Sequence, residues 1–167
     1  FEFIFRFRSK EVQIENYSSI QIDDIVGLDE FYEKWSSQLT ISLKKNRSFL
    51  KWRLGAPQKK YHIIIAKKDT SIIGILVAAE IIREGIPCIA ILDLTVLEDN
   101  YPVANILINQ ILQIGKYNGA ELLLIMLGKK WYSKYRLFAH SFIKTPFKFY
   151  LIVKKLSNRV TGEILNN

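Results

Sequence analysis

The chain has 167 residues, of which 49% are hydrophobic and 24% are charged. This balance excludes a disordered or fibrous protein and predicts one compact globular domain. Lysine and arginine outnumber aspartate and glutamate by 24 to 16, which gives a formal net charge of +8. A positive charge favours anionic partners, but the basic residues are dispersed in pairs, which is typical of a solvated surface. We therefore do not expect nucleic acid as a general partner.

The sequence contains no segment that predicts membrane insertion or secretion. The longest apolar run, "SIIGILVAAEII" (71–82), is interrupted by Glu80 and is shorter than the roughly 18 to 20 residues of a transmembrane helix. No stretch combines the charged start, apolar middle and cleavage site of a secretory signal. Cys88 is the only cysteine, so no internal disulfide can form. These features favour a cytoplasmic protein without a membrane span.

The N-terminal third predicts one strand and two helices. "FEFIFRFR" (1–8) has an apolar residue at every odd position, which is typical of a β-strand, and "SKEVQIEN" (9–16) is interpreted as a polar connection. "GLDEFYEKWSSQL" (27–39) and "RSFLKWRL" (47–54) carry apolar residues at helical spacing. The second helix is expected to end at the turn residues that follow it, Gly55 and Pro57.

The middle of the chain predicts three consecutive antiparallel strands. They cover 61–68, 71–82 and 87–97, are rich in β-branched residues, and are joined by links short enough for hairpins. The long segment from 101 to 120 then carries a wide apolar face and predicts a helix that ends near Gly119.

Three further elements are predicted after this helix. "ELLLIML" (121–127) is a continuous apolar run, which predicts a central strand buried on both faces and parallel to the strand before the helix. A helix over 131–140 and a final strand over 147–156 follow. The complete order is helix, helix, three antiparallel strands, long helix, strand, helix, strand.

This order, with the run "ILDLTVLEDN" (91–100) leading into a long helix, resembles the GNAT N-acetyltransferase superfamily over about residues 28–156. The segment "NRSFLKWRL" (46–54) is similar to one found before the strand meander of GNAT-like proteins associated with bacterial surface polysaccharide. The turn at "SFIKTPF" (141–147) looks like the family's Gly-Phe turn, with Ser141 where glycine is usual. The resemblance implies an α/β fold of the mixed α+β kind, with a mostly antiparallel central sheet flanked by helices and parted between its fourth and fifth strands.

The resemblance also suggests a division of the chain. It implies a GNAT-like domain over 11–157 and a polar C-terminal tail over 158–167. The strand at 1–10 begins like "FKFYLIVKK" (147–155), which closes the domain, so it is interpreted either as the last strand of a preceding GNAT-like domain or as the first strand of this one. Under the first interpretation its phenylalanines need an apolar partner, so the strand is expected to add to this domain's sheet or to pack against a neighbouring chain, as in a homodimer.

The resemblance implies acetyl-CoA as the donor substrate. In GNAT enzymes the pantetheine arm pairs with the free edge of the fourth strand, and the pyrophosphate lies at a glycine-rich loop and the following helix N-terminus. Here these positions are occupied by Leu94, Thr95 and Val96 on the strand and by Tyr101, Ala104, Asn105 and Ile106 at the loop. The arginine or glutamine and the two small residues of the family's loop are replaced by Tyr101, Ala104 and Ile106, so the predicted pyrophosphate loop is degenerate.

The resemblance further implies a catalytic base near the fourth strand and an acid on the last helix. If Glu80 pairs with Ile89, Glu80 and Asp93 lie on one face of adjacent strands and are the candidate bases; the alternative is that Glu80 reaches solvent and Asp93 forms local hydrogen bonds. Tyr135 is the candidate acid, with a packing role as its alternative. Trp52 and Arg53 are candidates for an acceptor pocket, although an aromatic residue next to a helix end usually packs into the core.

Three functions remain open from the sequence. The first is an acyl-CoA-dependent N-acyltransferase whose acceptor is a small-molecule amine, with an amino sugar as one option. The second is a non-catalytic GNAT-like binding or interaction module, which the degenerate loop favours. The third is one half of a Fem-type aminoacyl transferase that uses charged tRNA, which the net charge permits. No metal site is predicted, because His62 and His140 lack neighbouring ligands at suitable spacing.

Overall fold

The computed structural model describes residues 12–40 and 42–143. The predicted strands at 1–8 and 147–156 and the predicted tail at 158–167 lie outside the described residues. The described chain forms a five-stranded sheet in the order β1-β2-β3-β4-β5. The strands are β1 (Val12–Tyr17), β2 (Tyr61–Lys68), β3 (Ser71–Arg83), β4 (Ile86–Val96) and β5 (Leu122–Ile125).

The first four strands run antiparallel to their neighbours, and β5 runs parallel to β4. The predicted meander and the predicted mixed, mostly antiparallel sheet are therefore confirmed. β2 and β3 are buried along most of their length because they are flanked by strands on both sides and by helices on both faces. The sheet thus supplies a rigid central layer for the side chains at its surface.

The interpretation of 9–16 as a connection is wrong over the part that the structure describes. Val12–Tyr17 is a strand whose register pairs Val12 with Lys68 and Tyr17 with Ile63. Val12 and Ile14 alternate with polar Gln13 and Glu15, which is the period-2 pattern of a half-exposed strand. The segment was too polar to be recognised by hydrophobicity alone, but its alternation carried the signal.

Four α-helices flank the sheet in the part of the chain that the structure describes, and all four were predicted. They are α1 (Leu28–Ser37), α2 (Arg47–Leu54), α3 (Val103–Tyr117) and α4 (Lys129–Lys134). α3 lies against β3 and β4 at close range. A Cβ atom at Gly74 of β3 would lie only 3.1 Å from Leu107 and 3.2 Å from Val103 of the helix. Glycine at this position therefore allows the helix to approach the sheet. α1 and the chain before α2 lie on the opposite face, where they contact the side chains of β4 described below.

The start of α2 is fixed by hydrogen bonds to earlier parts of the chain. The Asn46 side chain caps the helix by accepting from the Phe49 N–H at 2.8 Å. The Arg47 guanidinium donates to the carbonyls of Ile22 and Ile25, and its backbone N–H donates to Asp29 at 2.7 Å. These contacts hold the end of the α1–α2 connection against the domain.

Two predictions for the C-terminal part of the described chain are corrected. β5 is parallel to β4 as predicted, but it is not buried on both faces, since Leu122 is 47% exposed and the other three residues are half-buried. The predicted helix over 131–140 ends early at Lys134, because Arg136 adopts a left-handed conformation with φ of 51°. A short 3₁₀ helix (Leu137–His140) follows, and Ser141 is also left-handed, with φ of 59°.

Candidate functional site

The C-terminal half of β4 has no strand partner on one side within the described chain. β4 pairs with β5 only from Cys88 to Ile91, where β5 ends at Ile125. The Leu97 N–H donates to Ile73 on the β3 side at 3.1 Å, so the alternation of a β-strand directs the backbone groups of Leu94 and Val96 away from β3. The expected parting of the fourth and fifth strands is therefore present, with a free edge at Leu94 to Val96.

A β-bulge at Leu92 separates the two predicted catalytic carboxylates. The predicted pairing of Glu80 with Ile89 is confirmed, but the register then shifts, because Ala78 pairs with Ile91 and Val77 pairs with Asp93. One extra residue reverses the faces of the side chains that follow it. The expectation that Glu80 and Asp93 lie on one face is therefore wrong: Glu80 lies on the α3 face, and Asp93 lies on the α1 face.

Asp93 is the centre of a polar cluster on the α1 face. The Lys45 ammonium group donates to Asp93 Oδ1 at 2.8 Å and to Oδ2 at 2.7 Å, and it donates to Thr95 Oγ1 at 3.1 Å. The Thr95 hydroxyl in turn donates to Asp93 Oδ1 at 2.9 Å. Thr95 is 1% exposed, so this predicted pantetheine-edge residue directs its side chain into the cluster.

Two aromatic residues of α1 complete the surroundings of Lys45. Its Nζ atom lies 4.5 Å from the ring centroid of Trp35 and 5.8 Å from that of Tyr32, both within the range of a cation–π contact. Tyr32 is 1% exposed, and its hydroxyl has no hydrogen-bond partner among the described residues. Burial, and secondarily the charge of Asp93, raises the pKa of Tyr32 well above its usual value, which keeps this hydroxyl neutral.

Tyr135 lies beside the free edge of β4 but has poor properties for an acid. Its hydroxyl donates to the Leu94 carbonyl at 3.3 Å, and the side chain is almost fully buried. Burial, followed by the charges of Tyr101 and Asp93, raises the pKa of Tyr135 far above its usual value. The ring stacks on Trp131 with centroids 5.3 Å apart and contacts Tyr101 edge-on. These contacts favour the packing role that the sequence left open.

A small cavity adjoins this cluster. It has a volume of about 70 Å³ and is lined by residues of α1, of the end of β4 and of α4, including Trp35, Val96, Trp131 and Lys134. Trp35 contacts both the cavity and the Lys45 ammonium group. The cavity therefore lies between Trp35, which contacts Lys45, and Val96 at the end of the unpaired edge of β4.

Two carboxylates and two bonded N–H groups lie at the predicted pyrophosphate loop. Glu98–Asn100 forms a 3₁₀ turn before α3, and Glu98 and Asp99 place two carboxylates there. The N–H groups of Ala104 and Asn105 are bonded to the carbonyls of Tyr101 and Pro102 at 3.0 and 3.1 Å. They are therefore not free for an anion, and the negative side chains oppose one.

The four loop residues instead have internal partners. Ala104 is fully buried, Asn105 Oδ1 accepts from His140 Nε2 at 2.7 Å, and Ile106 is half-buried on α3. The Tyr101 hydroxyl donates to Glu98 at 3.2 Å and accepts from Lys134 at 3.0 Å. These contacts tie the start of α3 to the segment that follows β5.

Glu80 belongs to a separate cluster near the C-terminal end of α3. Its Oε1 atom accepts from Asn118 at 2.7 Å and contacts Lys60 at 2.9 Å and His62 at 2.8 Å. Burial alone would raise the pKa of Glu80, but hydrogen bonds and charges from Lys60 and His62 outweigh it and hold the pKa below its usual value. A cavity of about 300 Å³ lies beside it. Glu80 also lies on the α3 face, away from the unpaired edge at Leu94 to Val96, so its contacts favour a structural role.

The candidates on α2 lie apart from both clusters. Trp52 is 77% exposed and contacts Phe49 at a centroid distance of 6.0 Å, and Arg53 is also exposed. The expectation that Trp52 packs into the core is therefore wrong, and neither residue lines the cavities described above. Sequence reasoning did not identify Lys45, Tyr32 and Trp35 as site residues. The pair Asp93 and Thr95, at alternate positions of an apolar strand, could have indicated them, because a carboxylate in such surroundings needs a nearby cation or hydrogen-bond donors.

Within the described ranges, no three histidine, cysteine, aspartate or glutamate side chains are grouped so that they could hold a metal ion. None of the helices in those ranges is long and apolar enough to cross a membrane.

Comparison with known proteins identifies the fold. No family model and no curated protein matches the sequence. An aminoglycoside acetyltransferase from an uncultured soil metagenomic sample, in complex with sisomicin, is similar with a TM-score of 0.63 and 18% identity, over 89% of this chain and 100% of that one. A ribosomal-protein-alanine N-acetyltransferase from Brucella melitensis biovar Abortus 2308 has a TM-score of 0.60 and 13% identity, over 86% of this chain and 99% of that one.

A third solved structure carries the donor substrate of such enzymes. It is a predicted acetyltransferase with acetyl-CoA from Clostridium acetobutylicum, with a TM-score of 0.60 and 12% identity, over 84% of this chain and 96% of that one. These likenesses agree with the mixed sheet, the helices on both faces and the parted fourth and fifth strands. The chain is therefore a domain with the GNAT fold.

Proposed function

We propose that this protein is an N-acyltransferase that moves an acyl group, acetyl in the first instance, from a thioester donor to a primary amine. The observation that carries the proposal is the free edge of β4 at Leu94 to Val96, which adjoins the Asp93 cluster. An unpaired strand edge binds an extended amide-containing chain by main-chain hydrogen bonds. A pantetheine arm is such a chain, and it would bring its thioester beside Asp93.

Asp93 is the residue proposed to act on the amine. Its carboxylate orients an ammonium group and accepts a proton from it, directly or through water, so that the nitrogen lone pair becomes available. The nitrogen then bonds to the acyl carbon, the carbon–sulfur bond breaks, and the departing sulfur takes up the second proton that the nitrogen loses, while Asp93 releases the first to solvent. Asp93 and Thr95 are fixed on a strand, which holds them in position for this step.

The donor is proposed to bind through its pantetheine arm rather than through its pyrophosphate. Support comes from the carboxylates of Glu98 and Asp99 and from the internally bonded N–H groups of Ala104 and Asn105. A donor that keeps the pantetheine arm but lacks the nucleotide retains the contacts at β4. Acetyl-CoA and acetyl-pantetheine are therefore both expected to serve, with values of kcat/KM within about tenfold of each other.

Release of the free thiol tests this proposal. The purified protein is given either donor with a panel of primary amines that includes aminoglycosides and amino sugars, and acetylated products are identified by mass spectrometry. Transfer that depends on the amine supports the proposal. Failure of both donors to release thiol with any amine, together with no change in Tm at millimolar donor, would overturn it.

A second candidate is a non-catalytic GNAT-fold module. It is favoured by the start of α3, where hydrogen bonds and acidic side chains occupy the place of the pyrophosphate. It is also favoured by Tyr135, whose hydroxyl donates to the Leu94 carbonyl and so takes up an acceptor that a pantetheine arm would need. The two candidates differ in the thiol-release experiment, because only the enzyme releases thiol in proportion to time.

A further inference from the structure

The cluster around Lys45 has the composition of a binding site for a primary ammonium ion. An ammonium group has three N–H donors and no acceptor. Asp93 supplies two oxygens and Thr95 supplies one, so every donor of Lys45 has an acceptor within 3.1 Å. The Trp35 ring closes one side of the site at 4.5 Å.

The anion and the cation of this site come from different kinds of structure. Asp93 and Thr95 lie on β4 in the central layer of the fold, whereas Lys45 belongs to the irregular connection between α1 and α2. The backbone after Lys45 is fixed by the Asn46 cap and by Arg47, but its four-carbon side chain has rotatable bonds throughout. The carboxylate is thus held on a strand, whereas the cation that neutralises it is carried by a side chain with rotatable bonds, of which 12% is exposed.

The Tyr32 hydroxyl is a second, independent feature of the same site. It belongs to a side chain that is 1% exposed, and it has no hydrogen-bond partner among the described residues. A buried hydroxyl without a partner is costly, and most such groups are satisfied in folded proteins. The Tyr32 ring centroid lies 5.8 Å from Lys45 Nζ, and the charge of Asp93 contributes to the raised pKa of Tyr32, so this hydroxyl lies near the site and has capacity for one more hydrogen bond.

We propose that Asp93, Thr95, Trp35 and Tyr32 form the binding site for the ammonium group of the acceptor, and that Lys45 occupies this site when no acceptor is bound. This inference rests on the proposed function, because it names the acceptor class of that site. Lys45 then competes with the acceptor. The apparent affinity for an amine is the intrinsic affinity multiplied by the fraction of molecules in which the Lys45 side chain has left the site, so it is lower when that fraction is small.

Chemical rescue of a Lys45→Ala variant tests this proposal without any donor. n-Butylammonium has the same four carbons and ammonium group as the lysine side chain, so it is the probe, and n-butanol is the neutral control. We expect the variant to melt below the wild type and n-butylammonium, but not n-butanol, to raise its Tm in a saturable manner. We also expect isothermal titration to give at least about tenfold tighter binding of the bare ammonium ion, which fits the place of Nζ beyond the retained stem, to Lys45→Met than to the wild type.

Two further variants separate this site from general salt effects. Lys45→Ala combined with Asp93→Asn lacks the carboxylate and should show no rescue. Lys134→Ala removes another lysine that lies over an aromatic ring, Tyr101, at 4.6 Å, but beside the more exposed Glu98. It should also show no rescue. Equal effects of n-butylammonium on all variants, or no effect on any, would overturn the proposal.

The outcome is distinct from a failure of the proposed function. Rescue without acyl transfer would support an ammonium-binding module and would reject the proposed enzymatic activity. Transfer without rescue would keep the enzyme and place its acceptor elsewhere. If Lys45→Ala does not fold in buffer alone, refolding in n-butylammonium against n-butanol gives the same comparison, and Lys45→Met retains the apolar stem for the titration.

Discussion

The Tyr135 hydroxyl donates to the Leu94 carbonyl at 3.3 Å, on the edge of β4 that has no strand partner within the described chain. Tyr135 therefore already donates to the backbone carbonyl that an extended ligand would use as a hydrogen-bond acceptor. The raised pKa of Tyr135, caused mainly by burial, keeps its proton in place. This pair of residues connects the stability of the domain to its proposed donor site.

Tyr135→Phe is expected to reduce the free energy of unfolding by about 1 kcal/mol, because a buried carbonyl loses its hydrogen bond. We expect kcat to change by less than about threefold, since a tyrosine with so high a pKa is a weak acid. Urea unfolding and thiol release measure the two effects. A loss of kcat of about a hundredfold at unchanged stability would identify Tyr135 as the acid after all.

Asp93→Asn is expected to lower kcat about a hundredfold, because the amide cannot accept the proton of the acceptor. Glu80→Gln is the matched control, since it removes a carboxylate from the adjacent strand on the opposite face of the sheet. It should keep kcat within about twofold. Both rates are compared at a temperature where circular dichroism shows the variants to be folded. Equal losses in the two variants would contradict the assignment of Asp93.

His140 is expected to make stability depend on pH. Burial lowers the pKa of His140 from 6.5, and its Nε2 donates to Asn105 at the start of α3. The unfolded chain therefore binds this proton at a higher pH than the folded chain, so the free energy of unfolding falls as pH falls through 6.5. His140→Gln keeps a donor but cannot titrate, and it should flatten this part of the profile. An unchanged slope in urea unfolding across this range would refute the assignment.

Ser141→Gly is expected to stabilise the domain by about 1 kcal/mol, because Ser141 has φ of 59° and glycine adopts this conformation without strain. Ser133→Gly is the control at an ordinary position of α4 and should destabilise by about 0.5 kcal/mol. Thermal unfolding of both variants gives the comparison. Destabilisation by both substitutions would show that the Ser141 side chain contributes more than its backbone costs.

The sequence predicted the elements whose hydrophobic period was strong. The α1, α2 and α3 helices and the β2 to β4 meander follow directly from spacing and from breakers such as Gly55. β1 was missed because its outward positions are polar. α4 was predicted too long because no local signal in the sequence marks the left-handed residue at Arg136.

The site was predictable only in part. Asp93 and the free edge of β4 were identified from the resemblance, but the contacts of Lys45 join residues 48 positions apart along the chain. Periodicity reports which residues share a face of one element, and it says nothing about contacts between a connection and a distant strand. Lys45 therefore looked like one of several dispersed lysines, although it holds the central ion pair of the cluster.

The bulge at Leu92 gives β4 one residue more than the stretch of β3 that it faces. Deletion of Leu92 would place Asp93 directly after Ile91 and still opposite Val77, so the ladder would become regular while Asp93 and Thr95 stay on the α1 face. Substitution at Leu92 keeps the extra residue and should leave the faces as they are. The bulge residue can therefore be replaced or lost without an exchange of faces, and the expected effect is confined to the local bend and twist of β4.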